Sequence, residues 1–101
     1  MLELRPVCEH CGKALPNGST EAMICSFECT FCLNCVEKVL RNICPNCGGG
    51  FERRPVRPVK CVTPNCLKNY PATTHKTIKK INSASLLRLQ KLYRNTSPEH
   101  R

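Results

Sequence analysis

Residues 25–35 read CSFECTFCLNC, which places four cysteines in one stretch of eleven residues. A Cys-x2-Cys pair stands on each side of this stretch, as CEHC at residues 8–11 and as CPNC at residues 44–47. Two residues between cysteines allow a tight turn to direct both sulfurs at one ion. A glycine follows each flanking pair, and glycine permits the positive φ that closes such a turn. This spacing is typical of metal ligands.

The number of cysteines in this region predicts two metal ions. Zn²⁺ takes four ligands in a tetrahedron, and structural zinc sites fill all four positions with Cys or His. Eight cysteines lie between residues 8 and 47, which is enough for two closed sites with one Zn²⁺ each. The predicted ligands are Cys8, Cys11, Cys25, Cys29, Cys32, Cys35, Cys44 and Cys47.

Other uses of cysteine fit this chain less well. A disulfide framework requires export, but residues 1–6 (MLELRP) lack the apolar core of a signal peptide. We therefore expect a cytoplasmic protein with reduced thiols. The Cys-x3-Cys-x2-Cys run at residues 25–32 also matches the triad of radical iron–sulfur enzymes, whose barrel is too large for a chain of 101 residues. A thioredoxin-like redox pair would need a βαβ context, which the sequence does not show.

Two pairings of the eight ligands are open. Sequential pairing assigns the first four cysteines to one ion and the last four to the other. Cross-brace pairing assigns them as follows: Cys8, Cys11, Cys32 and Cys35 to the first zinc, and Cys25, Cys29, Cys44 and Cys47 to the second. Cross-bracing closes larger loops and ties the chain into one unit.

Local patterns between the ligands favour the cross-brace. Residues 16–19 (PNGS) signal a turn and residues 20–25 are typical of a short strand, so we predict a hairpin between Leu15 and Ile24. Apolar residues at positions 36, 39, 40 and 43 have helical spacing and predict a helix of about two turns. Phe27 and Phe31 are expected in the small core or at its rim.

The cysteine pattern resembles that of the RING finger family. RING fingers carry C-x2-C, a long gap, C-x(1–3)-His/Cys-x2-C-x2-C, a gap that holds one helix, and a last C-x2-C. All these positions fit here, with Cys29 where many members have His, and Pro45 also fits. The resemblance implies a cross-braced, two-zinc ββα fold. For the whole chain we expect a small zinc-stabilised α+β protein: a RING-like cross-brace with a short β-hairpin and one short helix, an irregular Pro-rich linker and a C-terminal basic helix.

A closer resemblance is to a family of short bacterial cysteine-rich proteins catalogued as a domain of unknown function. It covers roughly the first 60 residues. The stretches that carry it are Met1–Pro6, Ile24–Cys32, Cys44–Gly49 and Arg53–Pro58. This family implies no particular activity.

Ubiquitin ligation is one activity that the RING resemblance implies. RING fingers often recruit a ubiquitin-conjugating enzyme through an apolar residue between the first two ligands and a cation just after the last. This chain has Glu9 and His10 at the first place and Gly48 and Gly49 at the second. A ubiquitin-ligase-type adaptor is therefore the weakest of three functional hypotheses.

The chain divides into three predicted parts. Residues 1–54 form the RING-like two-zinc domain, residues 55–75 an extended Pro-rich linker, and residues 76–101 a basic amphipathic helical tail. The linker contains Cys61 and Cys66, which we expect to be free thiols; the alternative is a third metal site that also uses His75.

The tail is predicted to form a basic helix from Ser83 onward, capped by Ser83 or Ser85. Its apolar stripe is formed by Leu86, Leu89, Leu92 and Tyr93. Its cations, which are candidates for contact with nucleic acid or an acidic partner, are Lys79, Lys80, Arg88, Lys91 and Arg94. The stripe can dock on the zinc domain or on a second copy of the chain, and the basic face can contact phosphates, an anionic membrane surface or an acidic protein.

The charge is unevenly distributed along the chain. Residues 1–50 carry a net charge of −1 and residues 51–101 a net charge of +10, which gives +9 in total. Eight thiolates and two Zn²⁺ ions together subtract four charges, so the holo protein is expected to combine an acidic metal head with a basic tail.

Composition and spacing together favour binding over catalysis. The chain has five aromatic residues, no Trp, and no apolar run long enough to span a membrane. Four thiolates on each zinc leave no position for a reactive water, so we expect no enzyme. The leading hypothesis is a structural zinc-binding module that mediates macromolecular interaction, with a protein as partner. The alternative is a nucleic-acid-binding protein that uses the basic half.

Overall fold

A short antiparallel hairpin lies at the centre of the protein in the computed structural model, which describes residues 1–101. Strand β1 (Ala22–Ile24) pairs with β2 (Thr30–Cys32). The loop between the strands is closed by a hydrogen bond of 3.1 Å from the Cys25 amide to the Cys29 carbonyl. Both ends of this loop are therefore cysteines held close together by the backbone.

The predicted hairpin between Leu15 and Ile24 is wrong. The partner of β1 follows it in the chain instead of preceding it. The backbone of Leu15 is occupied elsewhere, because its amide donates to the Pro6 carbonyl (2.8 Å) and its carbonyl accepts from the Arg54 side chain (2.9 Å). Leu15 therefore has no free backbone groups to pair with a strand.

A third strand, β3 (Glu52–Arg53), completes the sheet on the other edge of β1. The strand order is β2-β1-β3, and both pairings are antiparallel. The amide of Arg54 continues the pairing by donating to the Ala22 carbonyl (2.8 Å). Strand β3 has only two residues, and these lie about 30 positions from the residues of β1 with which they pair. So short a strand has no local sequence pattern, and the sequence analysis did not predict it.

The helix between the cysteine pairs starts earlier and ends earlier than predicted. Helix α1 covers Leu33–Cys35 and continues as a π-helical turn over Val36–Leu40. Arg41 and Asn42 then take left-handed conformations, with φ values of 52° and 59°. Both amides donate to the Val36 carbonyl, which satisfies the end of the widened turn.

The apolar core lies between the sheet, α1 and the cysteines. Phe31 and Phe51 meet edge to face with ring centroids 5.5 Å apart. Ile43 is buried although it lies beyond the helix, whereas Phe27 is exposed at the rim. Leu86, from the C-terminal part of the chain, is part of the same core cluster.

The segment between the sheet and the C-terminal helix is irregular and wraps along the N-terminal region. The Thr73 amide donates to the Leu4 carbonyl (2.9 Å), and the Lys79 amide donates to the Glu9 carbonyl (2.9 Å). These contacts join residues about 70 positions apart. The segment therefore lies on the cysteine-rich N-terminal part of the chain, residues 1–54, which we call the head, instead of extending from it.

Helix α2 (Ser83–Tyr93) is followed by a 3-10 turn at Pro98–His100. Its N-cap is Asn82, whose side chain accepts a hydrogen bond from the Ser85 amide (3.1 Å). The prediction that Ser83 or Ser85 caps this helix is therefore wrong. The cap is Asn82, one position before Ser83, and its side-chain carboxamide oxygen accepts the hydrogen bond that a serine hydroxyl was expected to accept.

Helix α2 docks on the cysteine-rich head. Leu86 is buried in the core, and the Gln90 side chain donates to the carbonyls of Val39 (3.0 Å) and Leu40 (3.3 Å) at the end of α1. The Leu40 carbonyl also accepts from the Ile43 amide (3.1 Å), so Gln90 adds to the hydrogen bonds that cap this helix end. Leu92 is 63% exposed, so its predicted part in docking is wrong.

Cys61 and Cys66 form a disulfide, which corrects the expectation of free thiols or a third metal site. Hydrogen bonds from the Asn65 amide to the Thr63 hydroxyl and from the Cys66 amide to the Pro64 carbonyl fold the intervening residues into a turn. This turn brings the two Cα atoms to 5.2 Å, which is within the range that a disulfide spans.

Candidate metal centres

The first group of sulfurs contains Cys8, Cys11, Cys32 and Cys35, whose Sγ atoms all lie within 4.8 Å of one another. The first two come from a tight turn in which the Gly12 amide donates to the Cys8 carbonyl (3.0 Å) with Gly12 at φ 77°. Two further amides of this turn donate to the Cys8 sulfur. The other two sulfurs come from the end of β2 and from α1, so the sheet and the helix place them.

The second group contains Cys25, Cys44 and Cys47, again with all Sγ atoms within 4.8 Å of one another. The predicted fourth ligand, Cys29, lies outside this mutual distance, but it is near enough to Cys44 and Cys25 for both to lower the pKa of its thiol. The Asn46 side chain also donates to the Cys29 sulfur (3.3 Å). The fourth sulfur therefore stands beside the three that are gathered.

The acidities of these thiols differ because of burial and mutual hydrogen bonds. Burial is the main cause that raises the pKa of Cys35, and it raises the pKa of Cys25 to about 11. A hydrogen bond with Cys44 lowers the pKa of Cys29 to about 5, and the same contact raises the pKa of Cys44. Thiolates this close repel one another. A cation bound among them would allow the remaining sulfurs to ionise.

The two groups are interleaved along the chain. The sulfurs of Cys8 and Cys11 lie with those of Cys32 and Cys35, and the cysteine at position 25 lies with the pair at 44 and 47. Sequential pairing would place the sulfurs of Cys8 and Cys11 together with those of Cys25 and Cys29, and the structure does not group them in this way. Two metal ions held by these groups would therefore connect distant parts of the head.

Comparison with known proteins places this arrangement in a family. Residues 1–57 match a family described as "Protein of unknown function (DUF1272)". The chain belongs to this family. The predicted membership of a family of unknown function is thereby confirmed, and the DUF1272 segment contains both sulfur groups and the three strands.

A relative of this DUF1272 chain is an uncharacterized protein of Rhizobium meliloti (strain 1021). It is 54% identical over 79 residues, which cover 78% of this chain and 88% of the relative. The aligned stretch is longer than the DUF1272 segment, so the relationship extends beyond the cysteine-rich head. No solved structure matches the chain with statistical significance.

Glu9 is a buried carboxylate within the DUF1272 segment that the sequence analysis did not recognise as structural. Its Oε2 accepts from the Thr30 amide and from Arg5 Nη1, the latter at 2.8 Å. His10, the next residue, places Nδ1 3.3 Å from the Cys35 sulfur. The two residues between the first ligands therefore face inward and hold the first group in place.

Arg54 is a second buried ionic group that the sequence analysis missed. Its guanidinium donates to the carbonyls of Arg5, Leu15 and Pro16, each at 2.9 Å. Burial is the main cause that lowers its pKa, and the charge of Arg57 adds to this effect. Only its position in the Arg53–Pro58 stretch, which carried the family resemblance, could have indicated its importance.

The five cations predicted to contact a partner all lie at the surface: Lys79, Lys80, Arg88, Lys91 and Arg94. None of them forms a salt bridge with a carboxylate. Arg88 and Lys91 lie on α2 and Arg94 caps its end, so the docked helix presents these three side chains to solvent, whereas Lys79 and Lys80 belong to the irregular segment before it. No helix of the structure combines the length and hydropathy that a membrane span requires.

Proposed function

We propose that the chain is a structural zinc-binding module, RING-like in its cross-brace, which mediates macromolecular interaction with a protein as its partner. The observation that carries this proposal is the interleaving of two cysteine groups along the chain. Ions held in this way crosslink the head without chemistry of their own.

Zinc fits the donor set better than a harder cation, because all the ligands are sulfurs. A tetrahedral site with Zn–S bonds of about 2.3 Å has sulfurs about 3.8 Å apart. The sulfurs of Cys11 and Cys32 are 3.7 Å apart. Four thiolates around an ion leave no open position for a water or substrate, so the proposed role is structural and not enzymatic.

The energetics support a module that folds around its metal. Structural zinc contributes about 10–16 kcal/mol of apparent binding free energy per site near neutral pH. The core cluster contains 13 residues, six of them predicted ligands. Since so much of the core consists of metal ligands, metal binding and folding are expected to be one process.

A ubiquitin-ligase-type role receives less support from the surface. RING fingers of that type expose an apolar residue between the first two ligands, whereas Glu9 is 1% exposed and forms an ion pair with Arg5. The position just after the last ligand is Gly48, which packs against α2: a Cβ there would lie 3.0 Å from the Tyr93 ring. We therefore favour a different protein partner.

Elemental analysis of the purified, reduced full chain tests the proposal. We expect two zinc ions per chain, and release of both when all cysteines are modified by a thiol reagent. A stoichiometry below two, or cysteines paired with one another in the 8–47 region, would contradict the proposal. Iron in place of zinc would keep the scaffold but overturn the assignment of the metal.

Nucleic-acid binding is the second candidate, and the exposed cations of the tail favour it. If the basic face contacts phosphates, affinity for duplex DNA should fall steeply as salt rises. The Arg88→Glu and Arg94→Glu double variant should weaken binding, while Lys38→Glu, at an exposed position of the head helix, serves as the control. Binding that is absent at low salt or insensitive to salt would exclude this candidate.

A further inference from the structure

A groove that neither the metal sites nor α2 uses lies where the N-terminus meets the linker. Its volume is about 500 Å³, which is within the range of pockets that hold a ligand or a large side chain. Its apolar lining is formed by Met1, Leu2, Pro55, Val56, Pro58 and Tyr70. We call this surface the N-terminal groove.

The walls of the N-terminal groove are held in place by hydrogen bonds. Arg57 Nη2 donates to the Leu2 carbonyl (2.5 Å) and Nη1 donates to the Tyr70 carbonyl (2.7 Å), so one side chain joins two walls. The Leu67 amide donates to the Pro58 carbonyl (2.8 Å), and the Cys61–Cys66 disulfide closes the same loop. A groove that is already formed costs little ordering when it binds a partner.

Exposed apolar side chains follow the N-terminal groove along the chain. Val56, which lines the groove, is 47% exposed, and Val59 and Val62, which come soon after it in the sequence, are exposed to a greater extent. A small protein with few apolar residues gains nothing in stability from leaving these side chains in water. Exposed apolar side chains at a groove are typical of interaction sites.

The charges around the N-terminal groove identify the kind of occupant. Residues 53–70 contain five Arg or Lys residues and no Asp or Glu. Arg53, Lys60 and Lys68 are exposed among them and form no salt bridge. Glu3 is paired with Arg5, which leaves Glu52 as the free carboxylate next to the stretch. The stretch of chain that contributes most of the groove lining is therefore cationic, which favours an anionic partner.

The same charges disfavour a second copy of the chain, since an isologous contact would bring identical cations together. The two prolines of the groove have no amide hydrogen and cannot add a strand along their full length. Recognition must therefore depend on side chains: an apolar one for the floor and carboxylates for the rim.

From these features we propose that the N-terminal groove binds an acidic peptide segment of a partner protein that carries a bulky apolar side chain. This proposal rests on the proposed protein-binding function and names the chemistry of the partner. It differs from the nucleic-acid candidate, which uses cations on α2 and no apolar contact.

Binding of fluorescently labelled synthetic peptides to the zinc-loaded full chain tests this proposal. One set carries Leu or Phe flanked by Asp and Glu, a second set has the same apolar residues flanked by Lys and Arg, and a third set has Ala in place of the apolar residue. We expect binding of members of the first set alone, weakened by salt. Equal binding of the first two sets, or of the first and third, would overturn the proposal, and so would no binding.

Matched variants locate the binding site. Val56→Asp should weaken binding of the acidic peptides by about tenfold or more, as expected for a residue central to a contact. Leu92→Asp, at an exposed apolar position on α2, should leave binding unchanged. Lys60→Glu should weaken binding of the acidic peptides, and Lys38→Glu should not. Equal effects of Val56→Asp and Leu92→Asp, or of Lys60→Glu and Lys38→Glu, would refute the assignment of the binding site to the N-terminal groove.

Other occupants are outcomes of the same assay. The proposal would be overturned if the chain bound anionic vesicles or single-stranded oligonucleotides, or associated with itself, in a way that Val56→Asp abolishes, and did not bind the acidic peptides. Zinc content is measured on the same samples. Two zinc ions per chain without peptide binding would refute the proposed peptide site and leave the zinc-binding module standing. Fewer than two zinc ions would refute the module, and the peptide measurements would still test the peptide site.

Discussion

At the scale of single residues, Cys29 and Cys61 separate two kinds of cysteine in this chain. Cys29 stands beside the second sulfur group and is its proposed fourth ligand, whereas Cys61 is exposed and forms a disulfide with the buried Cys66. Loss of a structural zinc site removes roughly 10–16 kcal/mol of apparent binding energy. Loss of a disulfide that closes so short a loop removes about 2 kcal/mol.

We therefore expect Cys29→Ser to lose one zinc ion and unfold much of the head, and Cys61→Ser to keep both ions with a small decrease in melting temperature. Elemental analysis and thermal unfolding followed by circular dichroism measure both. Equal losses of zinc and of melting temperature in the two variants would contradict the ligand assignment.

Arg54 provides a second prediction at this scale. Arg54→Met removes the donors from three carbonyls, of which that of Leu15 is buried, while the contacts with Arg5 and Pro16 are only partly buried. An unsatisfied buried acceptor costs about 1–3 kcal/mol, so we expect a loss of about 1–3 kcal/mol in the free energy of unfolding, measured by denaturant titration of the zinc-loaded protein. Arg53→Met, at the exposed neighbour, should change it by less than about 0.5 kcal/mol. Similar values for the two variants would show that the carbonyl contacts are unimportant.

At the scale of elements, α2 contacts the head through one buried leucine, one side-chain amide and the ring of Tyr93, which packs against Gly48. Leu86 is 7% exposed, and Gln90 supplies donors to the end of α1. The helix contains 11 residues, which is too short to be stable alone in water. Its order therefore depends on docking.

Leu86→Ala should weaken docking by about 2–4 kcal/mol and accelerate amide hydrogen exchange in α2, while the zinc content stays at two. Leu87→Ala, at an exposed position of the same helix, should have little effect on exchange. Release of zinc by Leu86→Ala would contradict this prediction, because it would show that α2 and the metal sites unfold as one cooperative unit.

At the scale of the whole molecule, the metal ions are expected to decide whether the chain folds. The sheet has three strands of two or three residues each, and α1 is short. Elements of this length do not persist without tertiary support. In the head, six of the 13 residues of the core cluster are predicted metal ligands, so we expect much of that support to depend on bound metal.

Chelation of both ions from the full chain should therefore give circular dichroism and amide NMR spectra typical of an unfolded chain, and added zinc should restore the native spectra. A variant with all eight cysteines of the head replaced by Ser is the control, since zinc should not refold it. Dispersed amide signals after complete chelation would show that the apolar core is sufficient.

The sequence by itself determined the local parts of this protein. The spacing of Cys-x2-Cys pairs before Gly12 and Gly48 predicts turns that direct two sulfurs together, because turn geometry depends on a few adjacent residues. The apolar spacing after position 83 predicts α2 for the same reason. The four stretches at Met1–Pro6, Ile24–Cys32, Cys44–Gly49 and Arg53–Pro58 together indicated the family.

Only the tertiary structure decided what depends on distant residues. The partner of β1, the strand β3, the buried guanidinium of Arg54 and the disulfide at Cys61 each require segments brought together by the whole fold. Several partners were locally equivalent for each of these groups. The choice among them is made by burial and by the demand that every buried carbonyl and amide find a partner, which a linear pattern does not encode.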